Sequence, residues 1–224
     1  MEGEETGLSD TGRTEAFSDG VMAIAITLLI LDVRVGDESG KGLLHDLLHI
    51  WPTYAAYLAS FLTIGIIWMN HHGFFRQVRA LDRRMQWWNL VLLLAISWLP
   101  FPTALVAEHI RDGDADARTA IVVYALSSVA MTVPWVFLWR RLELHPELFA
   151  GDRDAAHART EGKRAWLGVG LYLVCAAVGL VSAYAAAALL AALAVFYALT
   201  SQGWAPLARD RSTDATAHPA PGDG

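Results

Sequence analysis

Three groups of residues in this 224-residue chain could do chemistry. Arg13, Ser18 and Asp19 stand at the entrance of "RTEAFSDGVMAIAITLLILDVRV", an apolar segment that closes on Asp32. Asn70, His71 and His72 end a second apolar run, and "HDLLH" sets His45 four residues before His49. Acids and imidazoles can move protons or bind a metal, so an intramembrane, metal-dependent enzyme using Asp19, His71 and His72 is one reading. Against it, no nucleophile adjoins a base, no ligand triad is complete, and no Gly-rich phosphate loop is present. Adjacent histidines point about 100° apart on a helix and rarely share one ion. Hydrogen bonding of His71 and His72 to the Arg13–Asp19 cluster is favoured, and would let cytoplasmic pH reach that cluster. His45 and His49 have zinc-binding spacing, yet no third ligand is evident beyond Asp46, and an amphipathic stretch lying in the outer membrane interface is the favoured account.

These groups lie in a chain that is 54% hydrophobic and 18% charged, with nine tryptophans. Its apolar residues cluster into runs long enough to cross a bilayer. The reading is an all-α integral membrane protein with six transmembrane helices near 16–35, 51–71, 87–107, 119–139, 165–182 and 185–203. The last two come from one run, Ala165 to Tyr197. As a single helix it would be about 50 Å long against a core of about 30 Å, so a reversal is expected near Ser182–Tyr184. Residues 1–204 form the membrane unit, and 205–224 are expected to be a disordered cytoplasmic tail with little to bury.

With six spans, thirteen Lys and Arg fall on one side and four on the other. The positive-inside rule then puts both termini in the cytoplasm of a plasma-membrane protein. The net charge of −6 offers no basic face for nucleic acid. No signal peptide is expected. Cys175 lies in an apolar run, where its thiol is inert. Pro100, Pro102 and Pro134 should interrupt and kink their spans. "RRLELHPELF" reads as a partly amphipathic cytoplasmic connector.

At 100° per residue, Phe17, Val21, Ile24, Leu28 and Leu31 share one stripe of the first helix, with Thr27 at its edge. Asp19 lies roughly 140° from Ile24, on the side of Ala23 and Ile26. An acid this deep should be shielded by other helices and satisfied by Arg13 or by a polar group of a neighbouring span. The alternative is that Asp19 caps a helix start.

Arg13-x-x-x-Phe17-Ser18-Asp19 followed by "GVMAIAITLLILDV" resembles the first helix of the endolysosomal potassium channel family, in its prokaryotic branch with one six-helix unit per chain. "WMNHHGFF" and "PFPTALVAEH" are similar to that family too, while Met22 is a mild departure. The resemblance implies a homotetramer in the lipid bilayer with a pore lined by the first helix. It implies Ile24, Leu28 and Leu31 as pore-lining residues, with Thr27 beside the narrowest ring. Arg13, Phe17, Ser18 and Asp19 would hold that helix through polar groups of its neighbours, for which Trp68, Asn70, His71 and His72 are candidates.

Lacking a Thr-Val-Gly-Tyr-Gly loop, such a pore would not select by a carbonyl cage. A ring of Ile24 side chains would gate by dewetting and favour weakly hydrated potassium among monovalent cations. No cofactor and no bound metal is expected; potassium is the permeant species. Thr27 either offers its hydroxyl to an ion or bonds back to the Ala23 carbonyl. Ala183, Ala187 and Ala191 form either a subunit seam or a tight contact within one subunit. A non-catalytic assembly partner and a proton-coupled transporter are the remaining alternatives, the latter without inverted repeats or broken helices.

Overall fold

A computed structural model describes residues 11–35, 42–111, 115–151 and 155–200. The expected tail at 205–224, with Arg209 and Arg211, lies outside them. All regular elements described are helical. α1 (Thr11–Leu28) tightens into a 3-10 turn at Leu29–Asp32. It is followed by α2 (Leu43–His49), α3 (Trp51–Phe75), α4 (Arg83–Trp98), α5 (Pro100–His109), α6 (Ala115–Leu144), a 3-10 turn at Pro146–Leu148, α7 (Ala155–Gly179) and α8 (Ala183–Thr200).

Among the described residues, four helical stretches are long and apolar enough to span a membrane: Thr11–Asp32, Trp51–Phe75, Arg83–His109 and Ala115–Leu144. α8 is apolar but shorter. α7 is long, but Arg159, Glu161, Lys163 and Arg164 occupy its first half and leave the apolar part to begin at Ala165.

Local sequence sets the boundaries. Asp82 caps α4 by accepting from the Met85 amide at 2.9 Å. Its other oxygen takes Arg141 at 2.6 Å, tying α4 to the end of α6. Pro100 has no amide to donate, and α4 and α5 divide at Leu99 to form one bent span. Pro134 behaves differently from expectation: α6 runs through it from Ala115 to Leu144. The α7–α8 reversal falls at Leu180–Ser182, slightly ahead of the expected place. Ser182 caps α8, its Oγ accepting from the Ala185 amide at 3.3 Å.

Two apolar clusters hold the bundle. One joins Met22, Ala25 and Leu29 of α1 to Ile64, Leu92, Ile96, Ile121 and Tyr124. Ala183 and Ala186 of α8 are buried in it, Ala187 packs against it, and Ala191 is exposed, so the alanine stripe serves chiefly a contact within the subunit. The other cluster gathers Phe74, Phe75, Leu81, Leu138, Trp139, Leu148 and Phe149 at the end of α3 and α6. The connector "RRLELHPELF" is therefore more than a surface link. Leu148 and Phe149 are core residues, and a β-bridge pairs Val78 with Phe149.

"HDLLH" forms α2. His45 and His49 stack at 5.6 Å, and Asp46 lies buried 3.6 Å from His45 Nδ1. Arg111 donates to His49 Nδ1 at 3.0 Å and to its carbonyl at 2.8 Å, occupying the lone pair that a metal would need. Among the described residues no three His, Cys, Asp or Glu side chains converge on a metal position.

Candidate functional site

α1 is two-faced. Ser18, Met22, Ala25 and Leu29, at intervals of four, three and four residues, are buried against the bundle. On the other side Phe17, Ile24, Leu28 and Leu31 are 57%, 61%, 43% and 60% exposed, and Thr27 is exposed beside them. Val21 is half-buried and packs on the core, leaving the uncovered stripe narrower than periodicity implies. Ala23, expected opposite the stripe, is exposed. Met22, the departure from the family pattern, is a core residue 1% exposed. The 3-10 turn at Leu29–Asp32 follows Leu28 directly, and Leu31 within it stays exposed on the stripe.

The entrance is anchored by polar bonds to two helices. Trp68 Nε1–H donates to Asp19 Oδ1 at 2.9 Å. His72 Nδ1 meets Glu15 Oε1 at 2.7 Å. Glu15 and Asp19 are four apart on α1, as Trp68 and His72 are on α3, so the two bonds form an antiparallel ladder. The Trp68 and His72 rings stack at 6.3 Å.

Between the rungs, Ser18 turns to α4. Its Oγ donates to the Thr14 carbonyl at 2.8 Å and accepts from Asn89 Nδ2 at 3.0 Å. Asn89 Oδ1 then faces His71 Nε2 at 2.9 Å. Ser18 has one proton and spends it on Thr14, so the Asn89 amide must donate to Ser18 and present its carbonyl to His71. This puts the proton of a neutral His71 on Nε2 and leaves buried Nδ1 without a partner among the described residues. His71 stacks on Phe75 at 4.4 Å.

The entrance network is thus assembled without Arg13, which is exposed and has no polar partner among the described residues. Asp19 sits two turns inside a helix that begins at Thr11, so it is not a cap. Asn70 does not join the network. It lines a cavity of about 400 Å³ with Thr63, Ile67, Trp135 and Tyr172 on the opposite face of α3. Glu15 and Asn89 are network members that the motif alone does not reveal. The signal for Asn89 was its isolation in "WWNLVLLLAISW", since a lone amide in an apolar span needs partners. Thr27 Oγ1 donates back to the Ile24 carbonyl at 2.9 Å rather than to Ala23.

Membrane-length helices, a polar-anchored entrance and an uncovered apolar stripe on the first of them define an α-helical membrane protein. Residues 13–100 match the family described as "Endosomal/lysosomal potassium channel TMEM175". A potassium channel of Streptomyces collinus is 44% identical over 191 residues, spanning 85% of this chain and 92% of that protein. The crystal structure of a lysosomal potassium-selective channel TMEM175 homolog from Chamaesiphon minutus superposes with a TM-score of 0.76 at 37% identity, covering 86% of this chain and 98% of that one. The endosomal/lysosomal proton channel TMEM175 of Gallus gallus is 34% identical over 158 residues, which is 64% of this chain and 32% of that protein. The chain belongs to the TMEM175 family, and these relatives are ion channels rather than enzymes.

Proposed function

We propose that this protein is a potassium-preferring cation channel of the plasma membrane, built as a homotetramer around an axis lined by α1. Six helices cross the bilayer, α7 and α8 included, with both termini in the cytoplasm. The observation that carries this reading is the split of α1 between a buried face, Ser18–Met22–Ala25–Leu29, and an uncovered face, Ile24–Thr27–Leu28–Leu31. One uncovered stripe cannot enclose a path for ions, whereas symmetric copies facing one axis can.

Rings of Ile24, Leu28 and Leu31 would then close by dewetting, and a modest tilt of α1 would open them. The Glu15–His72 and Asp19–Trp68 rungs and the Ser18–Asn89 bond fix the rotation of α1, which decides which side chains meet the axis. Thr27 keeps a role despite its backbone bond. A cation binds oxygen lone pairs, and donation to Ile24 uses only the proton.

The test is ion flux into liposomes holding the purified full chain. Potassium flux exceeding sodium flux, raised by Ile24→Asn, supports the reading. No flux in either protein, or saturable uptake coupled to protons, defeats it. Proton flux recorded in the same vesicles measures whether this chain shares the permeant ion named for the Gallus gallus relative.

A further inference from the structure

Away from α1, the end of α6 and the first half of α7 enclose a cleft of about 110 Å³ lined by Val136, Arg140, Glu143, Arg159, Lys163 and Trp166, with Gly162 in its wall. Val136, Arg140 and Glu143 lie at i, i+4 and i+7 on α6. Arg159, Gly162, Lys163 and Trp166 lie at i, i+3, i+4 and i+7 on α7. Two helical ridges therefore face each other across the cleft.

Three cations meet one carboxylate here. Glu143 is taken by Arg159 at 2.7 Å. The nearby acids are also engaged, Glu161 by Arg164 at 2.8 Å and Asp82 by Arg141 at 2.6 Å. Arg140 and Lys163 are exposed and have no carboxylate partner among the described residues. The cleft sits where charged sequence gives way to the apolar run beginning at Ala165, and Trp166 is 61% exposed at that boundary. Exposed indole rings settle at the headgroup level of a bilayer. Beyond Trp166 the same face of α7 continues as exposed Gly170 and Leu173, an uncovered apolar track.

We propose that this cleft binds an anionic phospholipid. Arg140 and Lys163 hold the phosphate, Trp166 packs on the glycerol region, and an acyl chain runs along Gly170 and Leu173. Basic pockets between transmembrane helices recognise lipid phosphates in this way.

The test is native mass spectrometry of the delipidated full chain titrated with phosphatidylglycerol or phosphatidylcholine. Phosphatidylglycerol should bind preferentially, and Arg140→Gln with Lys163→Gln should weaken it roughly thirty-fold. Arg140→Lys with Lys163→Arg should keep most of the affinity, and Trp166→Leu should weaken both lipids. Arg83→Gln with Arg84→Gln, removing equal charge elsewhere, should leave binding intact. Equal binding of the two lipids, equal losses from the cleft and Arg83/Arg84 variants, or full competition by glycerol phosphate at equal concentration would overturn the proposal. Should the double glutamine variant not fold, the lysine–arginine exchange and Trp166→Leu decide it by the same criteria.

Discussion

Asn89 Nδ2 stands 3.0 Å from Ser18 Oγ, joining α4 to α1 across 71 residues of sequence at a buried position. Both side chains are essentially inaccessible, and His71 completes the line. A buried amide held between a hydroxyl and an imidazole fixes distance and rotation together.

Removing that amide strands two partners. Asn89→Leu leaves Ser18 without its donor and His71 without its acceptor, at a cost of about 1–3 kcal/mol. Thermal unfolding in detergent should show a lower midpoint. Asn89→Leu combined with His71→Phe should cost less than the sum of the two single changes, because no orphan imidazole remains. Strict additivity would show that the bond is not formed.

The helical stripe on α1 was legible because a 3.6-residue period leaves a trace in sequence, and Phe17, Ile24, Leu28 and Leu31 are uncovered as that period implies. The anchoring bonds were less legible. Periodicity tells that Asp19 is off the stripe but not that Trp68 rather than Arg13 donates to it, since that depends on how two helices align. Glu15 looked like one more acid in an acidic segment. Leu148 and Phe149 read as part of a connector, and it is their place in the apolar cluster with Phe74 and Trp139, along with the β-bridge from Val78 to Phe149, that puts them inside.

At the Asp19–Trp68 rung the indole can only donate, so position 19 must supply an acceptor and not a charge. Asp19→Asn should keep near-normal stability and flux. Asp19→Leu and Trp68→Phe should each lower the unfolding midpoint by similar amounts. A large loss in the asparagine variant would mean that the charge itself is needed.

Within the connector, Glu147 is exposed. A bond to its own backbone, and then His145 at 3.0 Å, hold its carboxyl below the ordinary value of 4.5. A depressed carboxylate favours the folded loop above pH 4.5, and the contribution disappears as pH falls through the lower folded value. Glu147→Gln should remove that acid-side dependence from amide exchange at Leu148 and Phe149 while leaving neutral-pH exchange almost unchanged.

Thr27 separates a shape effect from an oxygen effect. Thr27→Val keeps the branched outline but removes the lone pairs, so potassium-over-sodium preference should fall severalfold while total flux stays comparable. Thr27→Ser keeps the oxygen and should retain the preference. Equal selectivity in all three proteins would assign discrimination to the apolar rings alone.

Two glycines of α7 make opposite demands on their neighbours. A Cβ at Gly168 would stand 2.8 Å from the Tyr197 hydroxyl and 3.2 Å from Thr132 Cγ2. Tyr197 lines the 400 Å³ cavity, so its phenol has space to withdraw. At Gly179 a Cβ would meet Ile121 Cγ2 and Val122 Cγ2, both at 3.0 Å, and these methyls sit close to the α6 backbone on stiff, branched side chains. Either alanine recovers about 0.5–1 kcal/mol of helix propensity. At Gly179, overpacking of about 1–3 kcal/mol should outweigh that gain, because α6 and α7 would have to separate. Gly179→Ala should therefore unfold at a lower temperature than the parent, and Gly168→Ala at a temperature close to it. The reverse order would mean that the α6–α7 contact yields more easily than a tyrosine beside an open cavity.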